Sequence, residues 1–496
     1  MKLGFWIALA LTAATGQAQL RVVTWNISNY NGSRMPAIRT AVYGQFEGRS
    51  MAPDIVITQE FLSQAAVNDF RTALNTATGS PGDWQAAPFI NGPDTDSAFF
   101  YRSSKVAFLG VEVVATGSSA SDNQPRNTYR YDIRLIDYAS DGARLYCYAT
   151  HMKAGNTTTD QQRRLVEAER IRADAQTLPT GSHFLLGGDL NVPNSNQAAF
   201  QTLIANTANN TGRFFDPINT LGNWNNQMAM RFVHTQDPWA NMDDRFDFIL
   251  LSSNLIDGNG FDYLGNPAYP YSTTTWNDAN HSYRAWGNDG ESFGAGIRTT
   301  GNTMVGPAIA QAIKDAATTN GHLPVFLDLR VPPKVDSDEV LDFGVVFKGA
   351  NPLRTLMVWN SGNVGLWTAN GIAALNYDLV ASSGFVAPSG SFSDAAGGGA
   401  NSHIVRMQTG SLGVKTGTVT IRSNAPDEPD RIVTVMGRVD PSGDVDGNRC
   451  VDDSDLAAVL AAFGQTGQGI DEDVNEDGTV DDLDLAIVLT NFGWGC

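Results

Sequence analysis

Short apolar runs separated by polar loops dominate residues 20–330. Nine of them read as strands: LRVVTWNIS, DIVITQEF, SAFFYRS, KVAFLGVEVV, YRYDIRLIDY, ARLYCYATHM, SHFLLGGDLN, RFDFILLS and LPVFLDLRV. Each is short, apolar and bounded by turn-forming residues, as strands of a buried sheet are. One stretch has a different period. In TTDQQRRLVEAERIRADAQTL, residues 158–178, Leu165, Ala168 and either Ile171 or Arg172 recur at helical spacing, and Thr159 or Asp160 can cap the start. The pattern predicts an α/β domain over residues 19–331.

The pattern changes after PPKVDS, residues 332–337, which reads as a linker. Residues 338–440 are rich in Gly, Ser, Val and Thr. Their short alternating runs, such as RTLMVWNSG, YDLVAS and TGTVTIRSN, predict an all-β sandwich of immunoglobulin type. LDFGVVFKGANPLRTLMVWNSGN resembles the bacterial β-sandwich repeats of cell-surface and exported proteins. Residues 441–496 hold an internal repeat: DVDGNRCVDDSDLAAVL at 444–460 matches DVNEDGTVDDLDLAIVL at 473–489.

The N-terminus adds a compartment. Met1 and Lys2 precede LGFWIALALTAA, and Gly16-Gln17-Ala18 follows as a small-x-small cleavage pattern. Residues 1–18 are therefore expected to be a secretory signal peptide cut after Ala18. The apolar run falls short of the ~20 residues a membrane span needs. A secreted protein, extracellular or attached to the cell surface, is expected, with no integral membrane segment after cleavage. Three cysteines are too few for a disulfide framework. Cys450 and Cys496 bracket the C-terminal region and could pair outside the cell, whereas Cys147 in LYCYAT reads as a small buried apolar residue.

The net charge of −19 is unevenly spread. Residues 20–330 carry 29 acidic against 23 basic residues, and residues 441–496 carry 13 against one. The acidity belongs mainly to the tail, where it falls into a pattern. A calcium loop supplies oxygens at positions 1, 3, 5, 9 and 12 and begins a helix near its end. The first copy offers Asp444, Asp446, Asn448, Asp452 and Asp455; the second offers Asp473, Asn475, Asp477, Asp481 and Asp484. The carbonyls of Cys450 and Thr479 would complete each shell. Gly478 fills the sharp-turn position of the second copy, and Arg449 stands there in the first. The spacing, with Asp at position 12, resembles dockerin modules. The resemblance implies a small α-helical calcium-loop domain that holds Ca²⁺ and binds a cohesin-type protein partner.

In the first domain, several segments end in polar residues suited to phosphoester chemistry. They are Trp25-Asn26, Gln59-Glu60, Thr150-His151, Gly188-Asp189-Leu190-Asn191, Phe246-Asp247-Phe248 and Gly321-His322-Leu323-Pro324. Hydrolysis of a phosphodiester requires charge neutralisation, an activated water and a stabilised leaving oxygen. Glu60, helped by Asn26, is a hard oxygen ligand for Mg²⁺ or Mn²⁺. Asp189 can orient and deprotonate water, and Asn191 can donate to a phosphate oxygen. His322 can bind phosphate or transfer a proton, with Asp247 fixing its tautomer, and His151 is a second donor on the phosphate side.

In this order the segments resemble the endonuclease/exonuclease/phosphatase superfamily: secreted deoxyribonucleases, apurinic endonucleases, sphingomyelinases and inositol-polyphosphate phosphatases. The resemblance covers residues 20–330. It implies a four-layered α/β sandwich, two mixed β-sheets flanked by helices, with the site at one edge of both sheets. It also implies that Tyr101 and Arg126 face the phosphate. One position departs from the family, which usually has Ser-Asp-His before Leu-Pro. Here the triplet is Asn320-Gly321-His322. Asp289 is a candidate for the missing carboxylate. The surrounding segment 265–299 carries Tyr269, Tyr271, Trp276, Tyr283 and Trp286, and either walls a substrate cleft or packs on itself. His183 and His403 read as surface histidines, and His234 as structural.

The expected function is that of a metal-dependent phosphodiesterase, foremost an endonuclease acting on nucleic acid, with Arg126, Arg130, Arg163 and Arg164 as its local basic cluster. The alternatives are a phospholipid or sugar-phosphate phosphoesterase, and a non-catalytic surface adhesion protein with a degenerate nuclease-like domain.

Overall fold

The computed structural model describes residues 19–496, so the expected signal peptide lies outside the described residues. The chain divides into two compact units. The first runs to Pro332 and also includes Asn363–Ala373; the second comprises Pro333–Gly362 and Ala374–Cys496.

Two mixed sheets form the first unit. One has the strand order Asp262–Tyr263, Val325–Arg330, Leu20–Tyr30, Ile55–Phe61, Asp96–Arg102, Trp84–Ala86, with Arg284–Ala285 also paired to Val325–Arg330. The other runs Val106–Ala115, Thr128–Leu135, Arg144–His151, His183–Asp189, Asp247–Ser252, Phe214–Phe215. In each sheet one central pair is parallel, Leu20–Tyr30 with Ile55–Phe61 and Arg144–His151 with His183–Asp189. These central strands are buried along almost their whole length, which explains why they read as continuous apolar runs. Ile38, Val42, Phe70, Leu74, Ile309 and Ile313, from three helices, pack with Val23, Trp25 and Val56 of the first sheet. Ala168, Ile171, Phe200 and Leu203, from two further helices, pack with Tyr148, Leu186, Phe248 and Leu250 of the second. At Gly187 the second sheet approaches the first closely: a Cβ there would lie 2.8 Å from Ile57 Cδ1.

The predicted helix forms over Thr158–Ala175, and its cap is Thr157 rather than Thr159 or Asp160. Asp160 is instead the reciprocal partner in a capping box with Thr157. The buried face includes Arg164, Glu167 and Arg172 beside Ala168 and Ile171, which is why its apolar periodicity is weak. Arg172 Nη1 donates to the carbonyls of Thr202, Leu203 and Ala205 and so satisfies the end of the helix Ala198–Ile204.

The second unit contains a four-stranded and a five-stranded sheet around Leu341, Phe343, Val358, Val419 and Val433. His403 is buried there beside the Tyr377 hydroxyl at 2.7 Å, and is not the surface histidine expected. Residues 363–373, which fall by sequence inside the sandwich, pack with the first unit. Val331 N donates to Gly371 O at 2.8 Å, Ala373 N to Val331 O at 2.9 Å, and Lys105 Nζ lies 5.0 Å from the ring centre of buried Trp367. The repeat forms the helices Asp453–Ala462 and Asp482–Asn491 around Val451, Val459, Val480 and Val488. Cys450 and Cys496 are disulfide-bonded, and Cys147 is free and buried. No helix among the described residues is long and apolar enough to cross a membrane.

Candidate active site

Strand register builds the site. His151, Asp189 and Asp247 are direct neighbours across three adjacent strands of the second sheet. In the first sheet Asn26 pairs with Gln59, which sets Asn26 beside Glu60 at the end of the parallel pair. His322 lies just before Val325–Arg330, and its backbone N–H donates to Asn26 O at 3.0 Å. Six separate chain segments thus meet at one edge. Glu60 and Asn191 both adopt positive φ, 66° and 49°, at the points where their strands leave the sheet. Such backbone outliers concentrate at functional sites.

Hydrogen bonds link the cluster. Asn26 Nδ2 donates to Glu60 Oε1 and to Asp189 Oδ2, both at 3.1 Å. His151 Nε2 lies 3.4 Å from Asp189 Oδ2 and 4.0 Å from Glu60 Oε1. Asn191 N donates to Asp189 Oδ1 at 2.9 Å, while its side-chain amide donates to Met152 O at 3.1 Å. His322 Nδ1 meets Asp247 Oδ2 at 2.7 Å and lies 3.8 Å from Asp189 Oδ2. Thr235 was not expected here. Its hydroxyl donates to Asp247 Oδ2 at 2.6 Å and locks the carboxylate that locks the histidine.

The electrostatics separate these groups. Burial works to lower the His322 pKa, but Asp247 and Asp189 more than reverse this and hold it at about 9. His151 is pushed well below the ordinary imidazole range by burial, then by Arg126 and His322, so it is neutral. Burial raises Asp189 to about 7, with His322 opposing and Asp247 adding to the rise. A buried carboxyl near neutrality beside a charged imidazole is the arrangement of a base and an acid with opposite roles. The carboxylates of Glu60 and Asp189 converge as hard oxygen ligands that fit Mg²⁺ or Mn²⁺, whereas Asn26 turns its N–H donors to them and its Oδ1 accepts from Ser28 N.

Three expected contributors fall elsewhere. Tyr101 is paired with Ile55, five residues back along the strand from Glu60, which is roughly 17 Å at the usual strand rise. Its ring stacks on Phe108 at 5.7 Å, so it does not face the cluster. Asp289 is held by Arg298 at 2.7 Å and by Thr303 N at 2.9 Å and does not replace the missing carboxylate. The aromatic segment packs on itself: Tyr271, Tyr283 and Trp286 are buried, and the Trp276 indole donates to Thr303 Oγ1. Arg126 does reach the border of the site, with Nη1 3.5 Å from His151 O and Nη2 3.3 Å from Asp94. The other arginines of the expected cluster are engaged. Arg130 pairs with Asp174 and Asp132, Arg164 is buried against Gln197, and Arg163 donates to the carbonyls of Asn123 and Ser118.

Two carboxyl groups near His322 went unnoticed in the sequence. Asp237 and Asp244 are both raised by burial, Asp244 to about 6, and the charge of His322 partly offsets each rise. The nearby HTQDP stretch was the available signal. His234, in the same stretch, is fully buried.

A second polar cluster lies in the repeat. Ligand atoms of Asp444, Asp446 and Asp455 lie within 4.8 Å of one another, and buried Asp444 Oδ1 has no hydrogen-bond partner. Asn448 and Asp477 bond within their own loops. The two loops match in detail. Arg449 N donates to Asp444 Oδ2 at 2.9 Å and Gly478 N to Asp473 Oδ2 at 2.8 Å. Asp446 N donates to Asp455 Oδ1 at 3.1 Å and Asn475 N to Asp484 Oδ1 at 3.0 Å. Asp452 and Asp481 cap their helices.

No family model and no curated protein matches this sequence. Solved structures similar to this chain include the following three. Zebrafish (D. rerio) TDP2 complexed with single-strand DNA product is 15% identical, with 63% of this chain and 99% of that chain covered and a TM-score of 0.36. Sphingomyelinase C from Streptomyces griseocarneus is 14% identical over 62% of this chain and 98% of that chain, with a TM-score of 0.35. An endonuclease/exonuclease/phosphatase from Beutenbergia cavernae is 13% identical over 84% of this chain and 98% of that chain, with a TM-score of 0.33.

Proposed function

We propose that the first unit is a four-layered α/β phosphodiesterase of the endonuclease/exonuclease/phosphatase type that is exported and depends on a divalent metal. The observation that carries this reading is the convergence of Asn26, Glu60, His151, Asp189, Asp247 and His322 at one sheet edge, with His322 held by Asp247 at 2.7 Å. Glu60, oriented by the Asn26 amide, would hold Mg²⁺ or Mn²⁺, which when bound supplies charge neutralisation at the phosphate. Asp189 accepts a proton from the attacking water. The water oxygen forms the new P–O bond as the ester P–O bond breaks. His322, tied at Nδ1, presents charge to the phosphate and gives its Nε2 proton to the leaving oxygen, which takes the electron pair of the broken bond. Asn191 holds Asp189 in place through its backbone N–H.

Nucleic acid is the first substrate reading. The acidic surroundings favour a second, a small or zwitterionic phosphodiester such as a phospholipid headgroup. Arg130 and Arg164 are already engaged, and the charge of His322 acts on the carboxyls of Asp237 and Asp244. A polyanion would meet repulsion there. The test is hydrolysis by the full chain of plasmid DNA, RNA, a generic diester and sphingomyelin, with Mg²⁺ or Mn²⁺ and with chelator. Absence of metal-dependent hydrolysis of all four favours the non-catalytic adhesion reading and overturns the enzyme. For the tail we propose two Ca²⁺ loops and a cohesin-type partner. The equivalent pairs Leu460 and Phe463, and Leu489 and Phe492, are exposed at the C-terminal ends of the two helices and offer that partner an apolar face.

A further inference from the structure

The strand Leu20–Tyr30 is irregular beside the active site. Asn26 pairs with Gln59 and Tyr30 with Phe61, so four steps of this strand oppose two of its neighbour. The two extra residues make a bulge opposite Glu60. Ser28 and Asn29 hold φ of 52° and 42° there, in the left-handed region that side chains disfavour. Consecutive residues of this kind persist only where surrounding contacts hold them. The bulge delivers one N–H to the site: Asn29 N donates to Glu60 Oε2 at 2.9 Å. Asn26 Nδ2 already donates to Glu60 Oε1 at 3.1 Å, so both carboxylate oxygens are oriented, one of them by the bulge.

Arg34 holds the bulge in place. Its Nη1 donates to Ile27 O at 2.8 Å and to Ala316 O at 2.7 Å, and its Nη2 donates to Ser28 O at 2.9 Å. The guanidinium lies 5.1 Å from the ring centre of Tyr30, the residue at which strand pairing resumes. Ala316 stands in the last turn of the helix Gly306–Ala317, where carbonyls have no partner within the helix. The chain runs from that helix end to His322. One planar fork therefore ties the bulge beside Glu60 to the segment that presents His322. The point ammonium of a lysine lacks that fork.

We propose that Arg34 is a positioning residue for Glu60, acting through the Ile27 and Ser28 carbonyls on the Asn29 N–H that orients the carboxylate. The proposal rests on the reading of Glu60 as a ligand of Mg²⁺ or Mn²⁺. Outer partners of a metal ligand fix its orientation, and losing one weakens metal binding by about 10–100-fold.

Mn²⁺ binding to the full chain, followed by electron paramagnetic resonance without substrate, tests it. The active-site ion is the portion lost in Glu60→Gln, which sets aside ions held by the acidic repeats. Arg34→Lys keeps the charge and removes the fork. It should weaken that portion about tenfold or more and raise the metal concentration for half-maximal hydrolysis by the same factor. At saturating metal, kcat and KM should return to the wild-type values, a recovery that loss of folded protein does not give. The amide of Asn29, an exposed residue, should exchange slowly in the wild type and fast in Arg34→Lys. Arg34→Met removes charge and fork together and should weaken binding at least as much. Tighter binding in Arg34→Met with wild-type binding in Arg34→Lys would show that charge alone acts on Glu60, and would overturn the proposal. So would a Glu60-dependent site undiminished in both variants, or a fast Asn29 amide in the wild type, which needs no variant to fold. A wild type without Glu60-dependent Mn²⁺ would overturn the metal reading itself and the proposal with it.

Discussion

A Cβ at Gly321 would lie 2.2 Å from the carbonyl oxygen of Ala317. The clash is with the backbone end of the helix Gly306–Ala317, which cannot move aside as a flexible side chain can. The glycine is therefore a packing requirement of this chain, and an aspartate cannot stand beside His322 without displacing that helix end. Gly321→Asp should cost about 1–3 kcal/mol of stability, the scale of overpacking, and should not raise diesterase activity. Gly321→Ala should lose stability similarly. Denaturant unfolding and metal-dependent rates check this; a stable Gly321→Asp variant with higher activity would refute it.

The Asp247–His322 pair sets a pH dependence. The His322 pKa in the folded protein, about 9, exceeds its ordinary 6.5. The pair's contribution to stability is thus fully present below pH 6.5 and is lost as pH rises through 9. In Asp247→Asn the imidazolium loses its closest carboxylate. Its NMR titration midpoint should fall well below that of the wild type, and the alkaline limb of activity should move with it. The rate at neutral pH should drop by about 10²-fold or more, the scale of general acid–base help. A variant with an unchanged His322 midpoint would show that Asp247 does not hold the charge.

The strand ends that carry the cluster were legible in the sequence because a buried strand leaves a continuous apolar run, and the polar residue after it marks where the sheet stops. Asn26, Glu60, His151 and Asp189 follow that rule, and Asp247 stands before its run because its strand is antiparallel to His183–Asp189. Tyr101 was misplaced for the converse reason. It also ends an apolar run, but its strand is antiparallel to Ile55–Phe61, so that end faces away from Glu60. Direction is a tertiary property, and the run does not encode it. Thr235 and Asp237 lie in a segment without regular structure, where no periodicity marks what they touch. The arginines were counted as a basic cluster because their acceptors, Asp174, Gln197 and the Asn123 carbonyl, are distant in sequence.

Buried His234 makes the first unit sensitive to acid. Burial lowers its pKa from 6.5 to about 4, so the folded protein keeps the ring neutral. Below pH 6.5 the unfolded chain takes up a proton that the folded chain does not, until the pH reaches about 4. Stability should fall across this window by about 3 kcal/mol from this residue alone. His234→Phe should remove that component. The wild type should then lose more unfolding free energy than the variant between pH 7 and pH 4.5, and equal losses would rule the effect out.

Arg449 holds φ +78° at the turn position where the second repeat has Gly478 at +91°. A side chain in that region carries a conformational cost that glycine avoids. The next residue is fixed by the disulfide to Cys496, and Val451 exchanges hydrogen bonds with the same tail: Val451 N to Trp494 O at 2.9 Å, and Gly493 N to Val451 O at 2.7 Å. The second repeat has a glycine and the matching backbone bonds, Val480 N to Gln465 O at 3.0 Å and Gly464 N to Val480 O at 2.8 Å, but no disulfide. The disulfide alone is specific to the first loop, and its 46-residue separation corresponds to about 4 kcal/mol in the chain-entropy account of cross-links. Cys496→Ser should lower the thermal stability of residues 441–496. It should also weaken calcium binding at Asp444, Asp446 and Asp455 more than at Asp473, Asn475 and Asp477. Residue-resolved NMR titration with calcium separates the two loops; equal weakening of both would show that the disulfide stabilises the module without acting on Arg449.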